Sequence, residues 1–396
     1  MKVAKVPKAP KAPKAPTIAS AESPIAVYEK RRAKLFDWMA LEGTHLIMIE
    51  DSERSRDPAV RWLSGHPHDA LLFLTADRRC VLAPWDLNLA MRYAEADAFL
   101  PYADLDYRPE KALRAVTSFC KMPKGGRIEI PAATSYPTFL RYVEELSDYD
   151  VMCREGGIWE EIEQSRAVKD EAEITLYRTI SAYTNELIDR LEANVRSGEL
   201  KTEADIALFI EAQSRAMGCE GTGFPTIAAG PSRSFGIHAF PSYTAGAFGG
   251  DGLSILDFGI TCTGYTSDVT LTFTRGELSK AQEKMLSLVE KAHKLALSMV
   301  KSDVPAKSIG AAVEAFFARS KKKMPHGLGH GIGLDVHEPP SLRNRTDNNW
   351  VLEPGMIITI EPGLYDPVHG GCRLENDILV TETGAEQLTS ARIIRL

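Results

Sequence analysis

The chemistry-bearing residues of this chain crowd into four short segments of its second half. In LDFGITCTGYTSDVTLTFTRG, Asp257 ends an apolar run, Gly259 and Gly264 permit a turn, and Asp268 lies in the returning run. A hairpin there would bring the two carboxylates together although they stand 11 positions apart (268 minus 257). Taken alone, Asp beside Gly is also ordinary turn chemistry. In PHGLGHGIGLDVHEPP, His326, His330 and His337 are interleaved with Gly327, Gly329, Gly331 and Gly333. That much glycine outside a repeat implies backbone packed tightly around something. Three imidazoles there exceed what a structural loop needs, so at least one is expected to be a ligand.

Glu361 in ITIEPGLY and Glu375 in CRLENDILV each interrupt an apolar strand pattern. A carboxylate in such a strand carries a large desolvation cost unless it is paired or coordinates a cation. Arg373 supplies one positive charge, whereas two divalent cations would supply four, matching Asp257, Asp268, Glu361 and Glu375. The residues point to a dinuclear centre with oxygen-rich ligands and a single imidazole. Such a set suits manganese, cobalt or iron better than a thiolate-held structural zinc, and the metal's identity stays open.

These side chains need strands and turns to position them, and the second half of the sequence supplies both. Helical spacing is read at 203–217, 280–300 and 306–319, with glycine-punctuated strand patterns at 253–258, 265–273, 356–360 and 373–381. That is an α+β pattern with antiparallel strands. Residues 159–197 carry charges at helical spacing without proline and predict one long helix, or two with a break near Lys169. The first half reads as an α/β layer domain: a helix at 28–41, strands at 45–49, 70–74 and 80–82, and a helix at 110–119. His66 and His68, two apart in a loop, read as surface residues. The expected partition is an extended Lys/Ala/Pro arm at 1–20, an α/β domain at 21–160 and a catalytic domain at 161–396.

A chain of 396 residues accommodates two domains with self-sufficient cores. No apolar run approaches the roughly 18 residues that a membrane helix needs, so a soluble protein is expected. The formal charge of -7 argues against a general nucleic-acid binder. The six cysteines are scattered without C-x-x-C pairs and read as reduced thiols, with Cys262, between the two aspartates, filling space. The basic N-terminus MKVAKVPKAPKAPKAPTIAS lacks the apolar core of a secretory signal, which favours a cytoplasmic location, and its K-A-P triplets predict a polyproline-like arm.

Taken together, these segments resemble the creatinase/prolidase family with the pita-bread fold, which includes methionine aminopeptidases, Xaa-Pro aminopeptidases and Xaa-Pro dipeptidases. The resemblance runs from about residue 161 to the C-terminus. It extends more loosely to a creatinase-type N-terminal domain, where AVRWLSG followed by DALLFLTADRRCVLAP looks like the family's opening. It implies Asp257, Asp268, His330, Glu361 and Glu375 as metal ligands, with Asp268 and Glu375 bridging two ions, most readily manganese, with cobalt, zinc or iron as alternatives. It further implies a shared water or hydroxide as nucleophile and Glu361 as proton relay. His238 in FGIHAFPSY falls to substrate binding and catalysis, His337 to stabilising the tetrahedral intermediate, His326 to lining the substrate pocket, and Arg373 to a place near the product carboxylate.

The implied activity is a metallopeptidase cutting the Xaa-Pro bond of dipeptides or short peptides, in a homodimer that binds neither nucleic acid nor membrane. Where the family usually reads S-D-x-T-R-T, this chain carries Leu271 in place of the arginine. The same scaffold also serves hydrolases of ectoine- or creatine-like small molecules and non-catalytic interaction modules. A module of the last kind has no reason to keep four mutually repelling carboxylates together.

Overall fold

The structure, a computed structural model, describes residues 24–53 and 55–396, so the expected Lys/Ala/Pro arm lies outside the described residues. The chain divides between Arg166 and Ala167 into two compact units. In the N-terminal unit, Leu46–Asp51, Ala70–Thr75 and Cys80–Pro84 are buried at nearly every position, as strands covered on both faces must be. They form the middle of a six-stranded mixed sheet. Leu46–Asp51 runs antiparallel to Ala70–Thr75 on one side and parallel to Arg127–Glu129 on the other. Leu46, Met48, Phe73, Val81, Leu113, Ile128 and Tyr142 gather in one core cluster. His68 is exposed, its Nδ1 lying 3.0 Å from Asp69 Oδ2. His66 departs from the sequence expectation: the chain turns inward just after the helix Ala59–Ser64, and burial holds the ring neutral with a pKa of about 4.

The C-terminal unit begins where the polar stretch breaks. Helices Ile158–Ala167 and Glu171–Ser197 are interrupted around Lys169, and a reciprocal Asp170/Glu173 capping box starts the second one. Three more helices, Glu203–Ala216, Lys280–Met299 and Ala306–Arg319, fall close to the predicted positions. The predicted strands at 265–273 and 373–381 each divide in two. Tyr265–Thr266 separates from Val269–Arg275, and Gly370–Arg373 from Asn376–Val380. The chain changes hydrogen-bonding partner at each division, so Asp268 and Glu375 sit in the gaps, where a side chain is released from the regular ladder.

Two side-chain arrangements elsewhere in this unit were not legible in the sequence. Cys219 and Cys262 are joined as a disulfide, contrary to the expectation of free thiols. The short strands Gly221–Thr222 and Ile260–Cys262 pair in register Thr261↔Gly221, which brings the two Cα atoms to 4.4 Å. Glu203, 1% exposed, is held by Arg233 and by the backbone N–H groups of Gly230 and Thr244, both at 2.8 Å. The hydroxyl of Thr244 donates to the same carboxylate at 2.6 Å.

Candidate metal centre

Two strand pairings build the site. Gly252–Phe258 and Val269–Arg275 form an antiparallel hairpin with Thr270 opposite Asp257, and an isolated bridge places Thr270 against Glu375 as well. Thr270 is therefore the hub that brings one aspartate and one glutamate together. Its hydroxyl lies 2.6 Å from Glu375 Oε2 and accepts from Arg373 Nε at 2.9 Å.

In the second pairing the glycine-rich segment runs alongside Ile357–Ile360: Thr359 N–H donates to His330 C=O at 2.7 Å, and Glu361 N–H to Leu328 C=O at 2.8 Å. His330 thereby faces Glu361. Glycine at 329 is what permits this approach, because a Cβ there would lie 2.0 Å from the Thr359 carbonyl oxygen.

The result is one cavity of about 680 Å³ whose lining includes Asp257, Asp268, His330, Glu361, Glu375, His238, His326, His337 and Arg373. Asp268, His330 and Glu375 each present a ligand atom, all within 4.8 Å of one another. His330 Nε2 lies 3.7 Å from Glu361 Oε1 and 3.8 Å from Asp268 Oδ2. Its Nδ1 is 3.0 Å from the Gly331 carbonyl, an arrangement that makes Nδ1–H the donor and leaves the Nε2 lone pair aimed at the carboxylates. Burial holds His330 and His326 at about 4, so both rings are neutral. His337, exposed at the cavity wall, packs edge-on against His330 with ring centroids 4.3 Å apart.

The electrostatics reveal what the cluster lacks. Burial raises the pKa of Asp268 and Glu361 well above the ordinary carboxylate range, and the Glu375 charge raises both further. Burial and Asp257 push Glu375 up to about 7. Burial raises Asp257 too, and Arg373, whose Nη2 donates to its Oδ2 at 2.6 Å, opposes that rise. Among the described residues, Oδ1 of Asp257 and Oδ1 of Asp268 are buried without a hydrogen-bond partner. Four carboxylates line the cavity with one buried guanidinium among them, beside a neutral imidazole nitrogen. Hard divalent cations fit that donor set.

Arg373 itself is 2% exposed and fully engaged: besides Asp257 and Thr270, its Nη1 donates to Ile237 C=O at 3.0 Å and to the Tyr365 hydroxyl at 2.7 Å. The Ile237 contact fixes the backbone beside His238. Beside His337, the buried Glu338 accepts from Asp335 N–H at 3.0 Å and lies 3.4 Å from Lys169 Nζ. Leu271 is fully buried in the apolar core. Sequence reasoning missed Tyr365 and Arg343. Tyr365 hydrogen-bonds His326 Nε2 at 3.1 Å, and Arg343 lines the cavity from a loop whose composition looks like solvated surface.

An α+β unit that gathers four carboxylates and an imidazole round one pocket is the architecture of pita-bread metallohydrolases, and comparison with solved structures gives the same fold. The X-Pro aminopeptidase of Thermotoga maritima superposes with a TM-score of 0.78 at 25% identity, covering 92% of this chain and 99% of that one. The Xaa-Pro dipeptidase of Bacillus anthracis gives 0.80 at 22% identity, over 93% and 100% of the two chains. Among sequence relatives, an uncharacterized peptidase of Methanocaldococcus jannaschii is 32% identical over 64% of this chain and 70% of its own length. The Xaa-Pro dipeptidase of Pyrococcus horikoshii is 29% identical over 92% and 97%.

The profile of metallopeptidase family M24 matches residues 175–382, and the chain belongs to that family. It is a prolidase-like peptidase of a family that uses divalent metals. Among the described residues no helix is long and apolar enough to cross a membrane.

Proposed function

We propose that this enzyme hydrolyses the Xaa-Pro bond of dipeptides or short peptides, using two divalent cations, manganese by preference, held by Asp257, Asp268, His330, Glu361 and Glu375. The observation that carries this reading is the charge imbalance: three buried carboxylates and a half-buried fourth, one buried guanidinium, and, among the described residues, two carboxylate oxygens without a hydrogen-bond partner, at a cavity that also holds three further histidines. Bound cations would supply an acidified water and a Lewis acid for the scissile carbonyl.

The chain's own groups do the rest. Glu361, whose carboxyl is held above its ordinary range, is suited to take a proton at its carboxylate and return it to the departing proline nitrogen. His337, with a pKa lowered chiefly by burial, presents a neutral ring able to donate to an oxyanion. His238 stands on the same wall, its backbone fixed through the Ile237–Arg373 contact.

The test is a hydrolysis panel on protein stripped with a chelator and reloaded with manganese, cobalt, zinc or iron. It contains Ala-Pro, Gly-Pro, an Xaa-Pro-Xaa tripeptide, a proline-free dipeptide and ectoine. Metal-dependent cleavage confined to the proline compounds is expected. Full activity after exhaustive metal removal, or turnover of ectoine alone, overturns the reading.

A further inference from the structure

The N-terminal unit has a cavity of its own, about 520 Å³, at one end of its sheet. The registers Asp51↔Ala70 and Ala70↔Pro84 bring the ends of three neighbouring strands together there, and with them Glu50, Asp51, Asp69 and Trp85. The 3-10 helix Tyr102–Leu105 and the turn after it add Tyr102 and Tyr107. None of these residues belongs to the metal centre, and all of them lie within the N-terminal unit.

Part of the lining is acidic. Arg56 Nη1 lies 2.7 Å from Asp69 and 3.4 Å from Asp51, so those two carboxylates share a cation. Among the described residues, Glu50, half-buried, and Glu53, exposed on the same lining, have neither an ion pair nor a hydrogen bond. The rest is aromatic. Trp85 and Tyr107, 58% and 40% exposed, stack with centroids 4.0 Å apart, and Tyr102 meets Tyr107 edge-on at 5.5 Å. Tyr102 joins the two parts. It is 7% exposed, yet among the described residues its hydroxyl has no hydrogen-bond partner, and burial, then the Glu50 charge, raises its pKa. A buried phenol that folding leaves unpaired, on a cavity wall and in the field of an unpaired carboxylate, awaits a partner from outside the fold.

The three unpaired groups specify that partner. Glu50, Glu53 and Tyr102 offer acceptors at three places, and a primary ammonium carries three N–H donors. A quaternary ammonium has none to give, and a bare metal ion would leave the indole face without a role. Trp85 and Tyr107 suit what lies behind an ammonium: their faces cover methylenes and attract the charge. The volume exceeds that of an ammonium and leaves room for such a stem.

We propose that this cavity binds a primary alkylammonium group, the head and stem of a lysine side chain or of a free diamine. Glu50, Glu53 and Tyr102 hold the charge, and Trp85 and Tyr107 cover the methylenes. The assignment goes beyond the peptidase reading and does not depend on it.

The experiment titrates the full-length protein with cadaverine, N-acetyl-lysine amide, a Lys-Ala-Pro nonapeptide and the uncharged isostere N-acetyl-norleucine amide, followed by calorimetry. Saturable binding of an amine, and none of the norleucine compound, is expected. Binding of cadaverine alone supports the site with free amines as its source; binding of the lysine compounds alone supports it with peptide-borne lysine. E50Q should weaken binding by about 10–100-fold and W85A by about 5–30-fold. Y102F should weaken it by about 3–10-fold without lowering Tm, because the hydroxyl has no partner to lose in the free protein. No saturable binding of any amine, equal binding of the norleucine compound, or amine binding unchanged in both E50Q and W85A overturns the assignment.

Discussion

Two buried acidic regions of the catalytic unit behave in opposite ways. Glu203 has an arginine, two backbone N–H groups and a hydroxyl, all directed at one carboxylate. The cavity holds Asp257, Asp268, Glu361 and Glu375 with one buried guanidinium among them and, among the described residues, two carboxylate oxygens without a hydrogen-bond partner. A protein able to satisfy a buried acid so completely in one place, and leaving four underserved in another, reserves the second place for charge supplied from outside. Burial alone therefore does not mark a functional acid; the shortage of partners does.

The strongest test of that contrast is Asp268→Ala. It should abolish activity and metal binding together, a larger loss than the roughly 10–100-fold expected when only a supporting group is removed. Metal content measured by elemental analysis checks it, and a variant that keeps full metal occupancy would break the contrast. Glu203→Ala should do the reverse, lowering stability by about 2–4 kcal/mol in denaturant unfolding while the folded fraction keeps its metal. Thr270→Val removes the hydroxyl shared by Glu375 and Arg373 and should cost about 10–100-fold in metal affinity or kcat with little change in fold.

The mildest effect is one of pH. Asp268, Glu361 and Glu375 have folded pKa values above their ordinary ones, so the stability they contribute is present at low pH and is lost as pH rises through the folded values. His326 and His330 have lowered values of about 4 against an ordinary 6.5, so their contribution is fully present above about 6.5 and is lost as pH falls from there through about 4. Between about pH 6.5 and about pH 8 the melting temperature of metal-free protein should therefore fall, and saturating manganese should flatten the slope. Identical slopes with and without metal would show that the carboxylates are not the cause.

What the sequence made legible was local. Ala306–Arg319 shows its period directly, and the glycine–histidine alternation announces tight backbone before any partner is known. Asp257 and Asp268 could be brought together on paper because a hairpin is a short-range object. The hidden features depend on residues distant in sequence. Cys219 and Cys262, 43 residues apart, meet through two very short paired strands, too brief to carry a periodic signal. Arg343 sits in SLRNRTDNN, whose charges resemble any solvated loop until Asn348 and Gly327 fix its place. The division of the strand expected at 373–381 was equally invisible, since both halves are buried on either side of Glu375.

Lys169 gives the gap between the helices Ile158–Ala167 and Glu171–Ser197 a reach far beyond its own neighbourhood. It stands six positions before the family match opens at residue 175, yet its ammonium lies 3.4 Å from the acid beside His337. A recombinant fragment trimmed to the matched span would thus discard the lysine and keep Glu338 in its dry setting. The smallest piece of this enzyme worth expressing for catalysis is longer at its start than family boundaries suggest.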